Sequence, residues 1–135
     1  MSAPAPLTGL SHLQLLVSDV EASAAWYREA LGLDGFAEDL SVGYIALRHR
    51  PSRVVLVLTT RPDGGPATTD GGPLDHLALA VPDGDMLRDW ADHLTSVGIG
   101  HRGVVSEDGR PSLQLVDPDG TAIELVAPAA RPAAG

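Results

Sequence analysis

The sequence contains no cysteine and no lysine, and each absence removes a class of chemistry. Without cysteine, the chain has no disulfide, no thiol nucleophile and no thiolate metal site. Without lysine, it has neither a Schiff-base amine nor the lysine of a phosphate-binding P-loop. Histidine, carboxylate, hydroxyl and arginine side chains remain as the reactive groups.

Aromatic residues and long apolar runs are also scarce. Only 4% of the 135 residues are aromatic and 44% are hydrophobic, so aliphatic side chains must fill the core of about one domain. No apolar run approaches the roughly 18 residues that a membrane span requires. The segment Met1–Leu7 lacks the basic and apolar regions of a signal peptide. The sequence predicts a cytoplasmic protein with no membrane partner.

Positive charge is the third scarcity. The chain has 9 basic and 18 acidic residues, which gives a formal net charge of −9. Affinity for nucleic acid comes mainly from cationic contacts to phosphate, so this balance argues against a nucleic-acid partner. A small-molecule substrate or a drug is the expected ligand.

An internal repeat dominates the pattern. A shift of 64 positions superimposes one segment on another with both tryptophans of the chain, Trp26 and Trp90, in register. The repeat predicts a first module over 8–60 and a second over 74–128. A Gly/Pro-rich linker at 61–73 and a flexible tail at 129–135 complete the predicted organisation. The matched pairs are Leu10 with Leu74, His12 with His76, Leu13 with Leu77, Leu15 with Leu79, Val17 with Val81, Asp19 with Asp83, and Trp26 with Trp90.

Each copy reads as a strand, a helix and three further strands. Leu10–Val17 alternates in hydrophobicity, Ser18 and Glu21 have capping-box spacing, and Gly32 predicts a helix end. The order is therefore βαβββ twice, an α+β fold of two small sheets with a helix on one face of each. The remaining predicted strands are Gly35–Leu40, Tyr44–Arg48 and Arg53–Thr59 in the first copy, and Leu74–Val81, Gly100–Val105, Ser112–Val116 and Thr121–Ala127 in the second.

Three side chains share the face that points away from the helices. His12 and His76 lie at equivalent positions of the two first strands, and strand parity puts Glu124 on the same face as His76. Two imidazoles and one carboxylate form a facial triad for a divalent ion (Fe, Mn, Zn or Ni) with open coordination positions. Each residue alone could be an ordinary strand residue, so the hypothesis depends on their shared parity.

The same parity predicts the lining of a pocket. The predicted lining is mainly apolar, which suits an apolar or aromatic substrate, and a few polar groups could orient it. Tyr44 is a candidate acid or base, with a structural role as the alternative. The lining residues are the apolar Leu16, Val55, Val57, Ala78 and Ala80 and the polar Gln14, Thr59 and Gln114.

The chain resembles the vicinal oxygen chelate superfamily, which includes the glyoxalases, bleomycin-resistance proteins and extradiol dioxygenases. This resemblance covers about residues 8–128. It implies paired βαβββ modules that form a cupped mixed sheet around a metal ion, with helices outside, usually in a homodimer whose site can combine modules of two chains. The family's first-strand histidine ligands correspond to His12 and His76, and its last-strand glutamate to Glu124. The motifs that carry the resemblance are Leu10-Ser-His-Leu-Gln-Leu-Leu-Val17, Trp26-Tyr27-Arg28, Leu74-Asp-His-Leu-Ala-Leu-Ala-Val81 and Asp117-Pro-Asp-Gly-Thr-Ala-Ile-Glu-Leu125.

One departure from the family pattern narrows the function. Glyoxalase I has an acidic ligand on the last strand of its first module, where this chain has Val57, so the proton-shuttling carboxylate of that enzyme is absent. The absence of lysine and the apolar lining also argue against the phosphonate pocket of the fosfomycin-modifying enzymes. The favoured hypothesis is a metal-dependent enzyme, dioxygenase-like or a lyase or isomerase, whose substrate chelates the metal through two oxygens. The alternatives are a drug-sequestering protein of the bleomycin-resistance type and a scaffold with a vestigial triad.

Overall fold

The computed structural model describes residues 4–67, 72–107 and 109–129. Parts of the predicted linker (68–71) and of the predicted tail (130–135) lie outside the described residues. The first five elements form a unit that we call the N-module. They are β1 (Leu13–Leu16), α1 (Val20–Leu31), β2 (Asp34–Asp39), β3 (Tyr44–His49) and β4 (Val54–Thr59).

The second five elements form the C-module and repeat the same order. They are β5 (Leu77–Ala80), α2 (Gly84–Ser96), β6 (Val104–Glu107), β7 (Arg110–Val116) and β8 (Ala122–Val126). Neither helix is long and apolar enough to cross a bilayer in the part of the chain that the structure describes.

Each module contains one four-stranded mixed sheet. The strand orders are β1-β4-β3-β2 and β5-β8-β7-β6, with the first pair parallel and the other pairs antiparallel. Two mixed sheets with one helix each confirm the predicted α+β fold. The registers are equivalent, because Gln14 pairs with Val57 in the N-module as Ala78 pairs with Glu124 in the C-module.

Both helices begin at an aspartate. The Asp19 carboxylate accepts a hydrogen bond from the Ala22 amide at 3.0 Å, and the Asp83 carboxylate accepts one from the Met86 amide at 3.0 Å. The expectation that Ser18 begins α1 was therefore wrong by one residue. The carboxylate that accepts from the free amide of the first turn belongs to Asp19. Gly32 ends α1 in the left-handed conformation, with φ of 70°.

The core lies between each sheet and its helix. In β8, Ile123 and Leu125 are buried beneath α2, whereas Glu124 and Val126 on the opposite face are half-buried. This alternation is what the period-two pattern predicts. The opposite faces, which we call the open faces, carry the predicted site residues.

The two modules contact each other on the helix side. The Tyr27 hydroxyl of α1 donates a hydrogen bond of 2.7 Å to the buried carboxylate of Asp117, which follows β7. The Asp119 carboxylate accepts from the Ser18 amide at 3.0 Å, and a ring nitrogen of His93 lies 2.9 Å from the Glu29 carbonyl oxygen. Among the residues that the structure describes, these contacts leave both open faces uncovered in the single chain.

Candidate metal centre

His76 and Glu124 come together on the open face of the C-module. His76 lies immediately before β5, and Glu124 lies in the middle of β8, which runs parallel beside it. The distance from His76 Nε2 to Glu124 Oε2 is 3.5 Å. Parallel pairing of the two strands therefore brings an imidazole and a carboxylate from positions 48 residues apart to one point.

The other ring nitrogen of His76 has a separate partner. His76 Nδ1 lies 2.7 Å from Asp75 Oδ2. Because a carboxylate accepts, Nδ1 carries the proton in this contact, and Nε2 is the ring nitrogen that faces Glu124. The hydrogen bond to Asp75 is the main cause that raises the pKa of His76, burial lowers it, and the charges of Asp75 and Glu124 raise it further.

This donor set fits a divalent ion. Metal-binding histidines commonly give their second ring proton to a carboxylate, as His76 gives its Nδ1 proton to Asp75. Two ligand atoms that are each about 2.1 Å from one tetrahedral ion are about 3.4 Å apart. The separation of 3.5 Å between the imidazole and carboxylate atoms suits that arrangement without a change of backbone.

His12, the third predicted ligand, lies apart from this pair. It precedes β1 on the N-module, is exposed, and places its Nδ1 atom 3.0 Å from the Ser11 hydroxyl. Within 4–67, 72–107 and 109–129, no group of three or more His, Cys, Asp or Glu side chains could hold a metal ion. The single chain thus brings two of the three predicted ligands together, and the role of His12 stays a prediction.

Val57 occupies the N-module position that corresponds to Glu124. It pairs with Gln14 in the register that Glu124 has with Ala78. The N-module therefore presents His12 without an adjacent acid. In the structure, Val57 therefore occupies the position at which the resemblance to glyoxalase I implies an acidic ligand.

Two open grooves flank His76 and Glu124. One has a volume of about 1110 Å³ and includes Ala78, Ala80, Arg110 and Ser112 in its lining. The other has a volume of about 870 Å³, and its lining includes Gln114, His101 and Arg102. Of the predicted pocket residues, Ala78, Ala80 and Gln114 are thus gathered around the pair. The others, Gln14, Leu16, Val55, Val57, Thr59 and the candidate acid or base Tyr44, lie on the N-module strands.

His101 edges the second groove but is committed elsewhere. Its Nδ1 atom accepts a hydrogen bond of 3.0 Å from the Gly103 amide, and its Nε2 atom lies 2.9 Å from the Thr95 hydroxyl. Because Nδ1 accepts, Nε2 carries the proton and donates, so no lone pair is free for a metal.

Asp75 is a site residue that the sequence did not predict. The signal that could have indicated it is the dipeptide Asp75-His76, which sets a carboxylate next to the predicted ligand.

Comparison with known proteins gives the family. The model of the Glyoxalase/Bleomycin resistance protein/Dioxygenase superfamily matches residues 9–125, which is most of the chain. The chain therefore belongs to this superfamily, as its motifs predicted.

Solved structures with the same fold have diverse descriptions. A glyoxylase/bleomycin resistance protein/dioxygenase domain from Frankia sp. EAN1pec is 24% identical, with a TM-score of 0.80 and coverage of 96% of each chain. TnmS3, an antibiotic-binding protein from Streptomyces sp. CB03234, is 24% identical, with a TM-score of 0.74 over 93% of this chain and 100% of that one. The fosfomycin resistance protein FosX from Listeria monocytogenes is 15% identical, with a TM-score of 0.72 over 89% and 91%. At these identities the likeness shows the fold alone.

Proposed function

We propose that this protein is a metal-dependent enzyme that acts on a mainly apolar substrate with two neighbouring oxygens. The reaction would be dioxygenase-like or that of a lyase or isomerase. The observation that carries the proposal is the distance of 3.5 Å between His76 Nε2 and Glu124 Oε2, with His76 Nδ1 held by Asp75. His76, Glu124 and a His12 side chain would hold a divalent ion, with iron, manganese, zinc or nickel as the candidates.

A homodimer would supply the third ligand. Within one chain the modules join on their helix sides, and the open faces keep large apolar side chains in water, with Leu16 52% exposed and Val116 56% exposed. Packing the N-module face of one protomer on the C-module face of its partner would cover both and bring His12 of one chain toward His76 and Glu124 of the other. The site would then lie at the subunit interface.

The residues of the chain would divide the work on the substrate. When bound, the ion supplies Lewis-acid stabilisation of negative charge on the two substrate oxygens. Gln114, which pairs with Glu124 across β7 and β8, would donate a hydrogen bond to a substrate oxygen. Val57 and Ala78 provide apolar surface that excludes water, and Tyr44 pairs with Thr59 on the N-module, where its hydroxyl could move a proton.

Metal uptake tests the proposal. The protein is purified without chelators, its metal content is measured, and Zn²⁺ is titrated calorimetrically. We expect about one ion per protomer and, for H76A or E124V, affinity more than about 100-fold weaker, since loss of a ligand should exceed the 10- to 100-fold cost of losing a residue that only hydrogen-bonds to a ligand. Uptake below about a tenth of an equivalent, or unchanged affinity in both variants, contradicts the proposal.

A mixed dimer tests the shared site. The variants H12A and E124V are co-expressed with different tags and the heterodimer is isolated. If the site spans two chains, one of its two sites keeps His12, His76 and Glu124, so half of the metal capacity returns. If each site lies within one chain, neither is complete and no tight binding returns.

A second candidate function is drug sequestration without catalysis. The net charge of −9 favours a cationic drug, and the structural neighbour TnmS3 is an antibiotic-binding protein. Calorimetry with metal-free protein and bleomycin separates the candidates. Tight binding that neither needs metal nor leads to turnover favours sequestration.

A further inference from the structure

Arg48 is a cation on the open face of the N-module, and the metal centre does not explain its role. Arg48 lies in β3 and is half-buried, and its guanidinium forms no ion pair or hydrogen bond with any residue that the structure describes. Its cross-strand neighbour Asp34 makes no ion pair with it. The guanidinium of Arg48 lies over the ring of Phe36, and its Cζ atom is 4.9 Å from the ring centroid.

The register relates Arg48 to His12. Arg48 pairs with Val55 across β3 and β4, and the parallel pairing of Leu13 with Leu56 puts His12 beside the same Val55, one position before β1 is assigned. His12, Val55 and Arg48 therefore form one row across the sheet, on the same face. Because neighbouring strands are about 4.8 Å apart, the backbones of His12 and Arg48 are about 10 Å apart.

The C-module position that corresponds to Arg48 carries no cation. Val116 pairs with Ala122 there as Arg48 pairs with Val55, so the corresponding position is apolar. A cup made from the two kinds of module would thus carry a guanidinium at one of these two corresponding positions and an apolar side chain at the other. Closing that cup removes Arg48 from water, and a buried cation needs an anionic partner.

We propose that Arg48 binds a carboxylate of the ligand, separated from the metal-chelating oxygens by an apolar body. The inference rests on the proposed function for the chelating end of the ligand. Phe36 covers one face of the guanidinium and leaves its edges free for paired hydrogen bonds to a carboxylate. Val55, between His12 and Arg48, provides apolar surface under the body of the ligand.

A matched pair of probes tests this role. The acid 3-(3,4-dihydroxyphenyl)propanoate has two neighbouring oxygens, an apolar body and a terminal carboxylate, and its methyl ester lacks only the charge. Calorimetric affinities for both are measured with the purified protein, with and without added Zn²⁺. We expect the acid to bind about 10- to 100-fold more tightly than the ester, as one charge-assisted hydrogen-bonded pair provides.

Variants assign the preference to Arg48. R48Q should abolish the preference for the acid and leave the affinity for the ester within about twofold, and R48K should keep part of it because it retains charge without the planar fork. R50Q, in the exposed turn after β3, removes the same charge and should keep the full preference.

The outcomes separate this inference from the proposed function. Zn²⁺-dependent binding of both probes without a preference for the acid overturns the role of Arg48 and leaves the metal site standing. A preference that R48Q abolishes, with no effect of Zn²⁺, supports Arg48 and contradicts the metal site. Failure of the acid to bind at all, or a dimer that R48Q dissociates while the preference persists, also overturns the inference, the latter by assigning Arg48 to the subunit contact.

Discussion

The N-module and the C-module pair their strands in the same order, yet only the C-module sets a carboxylate beside its first-strand histidine. Glu124 faces His76 at 3.5 Å, whereas the corresponding Val57 leaves His12 without an acid. The same backbone register thus supports two different surfaces. The repeated βαβββ order gives both modules the same backbone arrangement. The residue on the last strand, Val57 or Glu124, determines whether a carboxylate lies beside the histidine.

The modules also differ in the hydrogen bonds that each turn makes to the helix of the other module. The turn after β7 places Asp117 against Tyr27 of α1, where the carboxylate accepts a hydrogen bond of 2.7 Å. The corresponding N-module residue is His49, the last residue of β3, and its Nδ1 atom lies 2.6 Å from the Ser52 hydroxyl of the turn that follows. The position in α2 that corresponds to Tyr27 is Ala91. The turn after β7 therefore hydrogen-bonds to the helix of the other module, whereas His49 hydrogen-bonds within its own turn.

Removing Asp117 should produce the largest loss of stability. Its buried carboxylate accepts hydrogen bonds from the Tyr27 hydroxyl and from the amides of Asp119 at 2.9 Å and Thr121 at 2.8 Å. Asp117→Ala leaves all three donors without this partner, so we expect the free energy of unfolding to fall by about 3–5 kcal/mol. Urea denaturation measures the change.

Two variants sharpen the comparison between the turns. Tyr27→Phe removes one donor and should cost about 1–3 kcal/mol. His49→Ala, at the corresponding N-module position, should cost less than about 1 kcal/mol, because its contact is local and exposed. Equal losses for Asp117→Ala and His49→Ala would show that the link between modules is symmetric after all.

The same link predicts a loss of stability at high pH. Burial of Tyr27, together with the nearby charge of Asp117, raises the pKa of the phenol far above its usual value of 10.0. The unfolded chain releases this proton near pH 10 while the folded chain keeps it, so the stabilisation is complete below pH 10 and is lost as pH rises above it. The free energy of unfolding should fall by about 1.4 kcal/mol per pH unit from this residue.

The composition makes this measurement clean. The chain has no lysine or cysteine and only two tyrosines, so few other groups titrate between pH 9 and 11. Urea denaturation over that range should give a steep decline in the parent protein and a shallower one in Tyr27→Phe. Parallel pH profiles for the two proteins would contradict the assignment to Tyr27.

The sequence predicted the order of elements because each signal is local. Alternation marks the face of a strand, and the repeat transfers an interpretation from one module to the other. Boundaries were less accurate: Leu10–Val17 was predicted as the first strand, whereas β1 covers Leu13–Leu16. The hydrogen bond between Tyr27 and Asp117 was not predicted, because parity assigns a face and not a partner 90 positions away.

The sequence predicted the part of the candidate site that lies within one sheet, and it could not predict how the two sheets combine. Parity and the parallel pairing of β5 with β8 suffice to bring His76 to Glu124. His12 belongs to the other sheet, so its meeting with that pair depends on how modules assemble, which no alternation pattern encodes. Asp75 escaped notice because parity puts it on the opposite side of the strand, although its carboxylate reaches the ring of its neighbour.

The smallest predicted difference concerns the residues that precede the two histidines. Asp75 contacts His76 Nδ1 at 2.7 Å, and Ser11 contacts His12 Nδ1 at 3.0 Å. If both histidines bind the ion, Asp75→Ala should weaken Zn²⁺ binding about 10-fold, the low end for such partners because the Asp75 side chain is 96% exposed. Ser11→Ala should weaken it less than about threefold, since a hydroxyl orients the ring less firmly than a carboxylate.

A conservative variant separates orientation from charge. In Asp75→Asn the amide oxygen can still accept a hydrogen bond from His76 Nδ1, so Nε2 stays turned toward Glu124 while the negative charge is lost. Affinity close to that of the parent would assign the effect to ring orientation, and affinity close to that of Asp75→Ala would assign it to charge. Equal effects of Asp75→Ala and Ser11→Ala would remove the distinction, because the two modules would then orient their histidines equally well despite different partners.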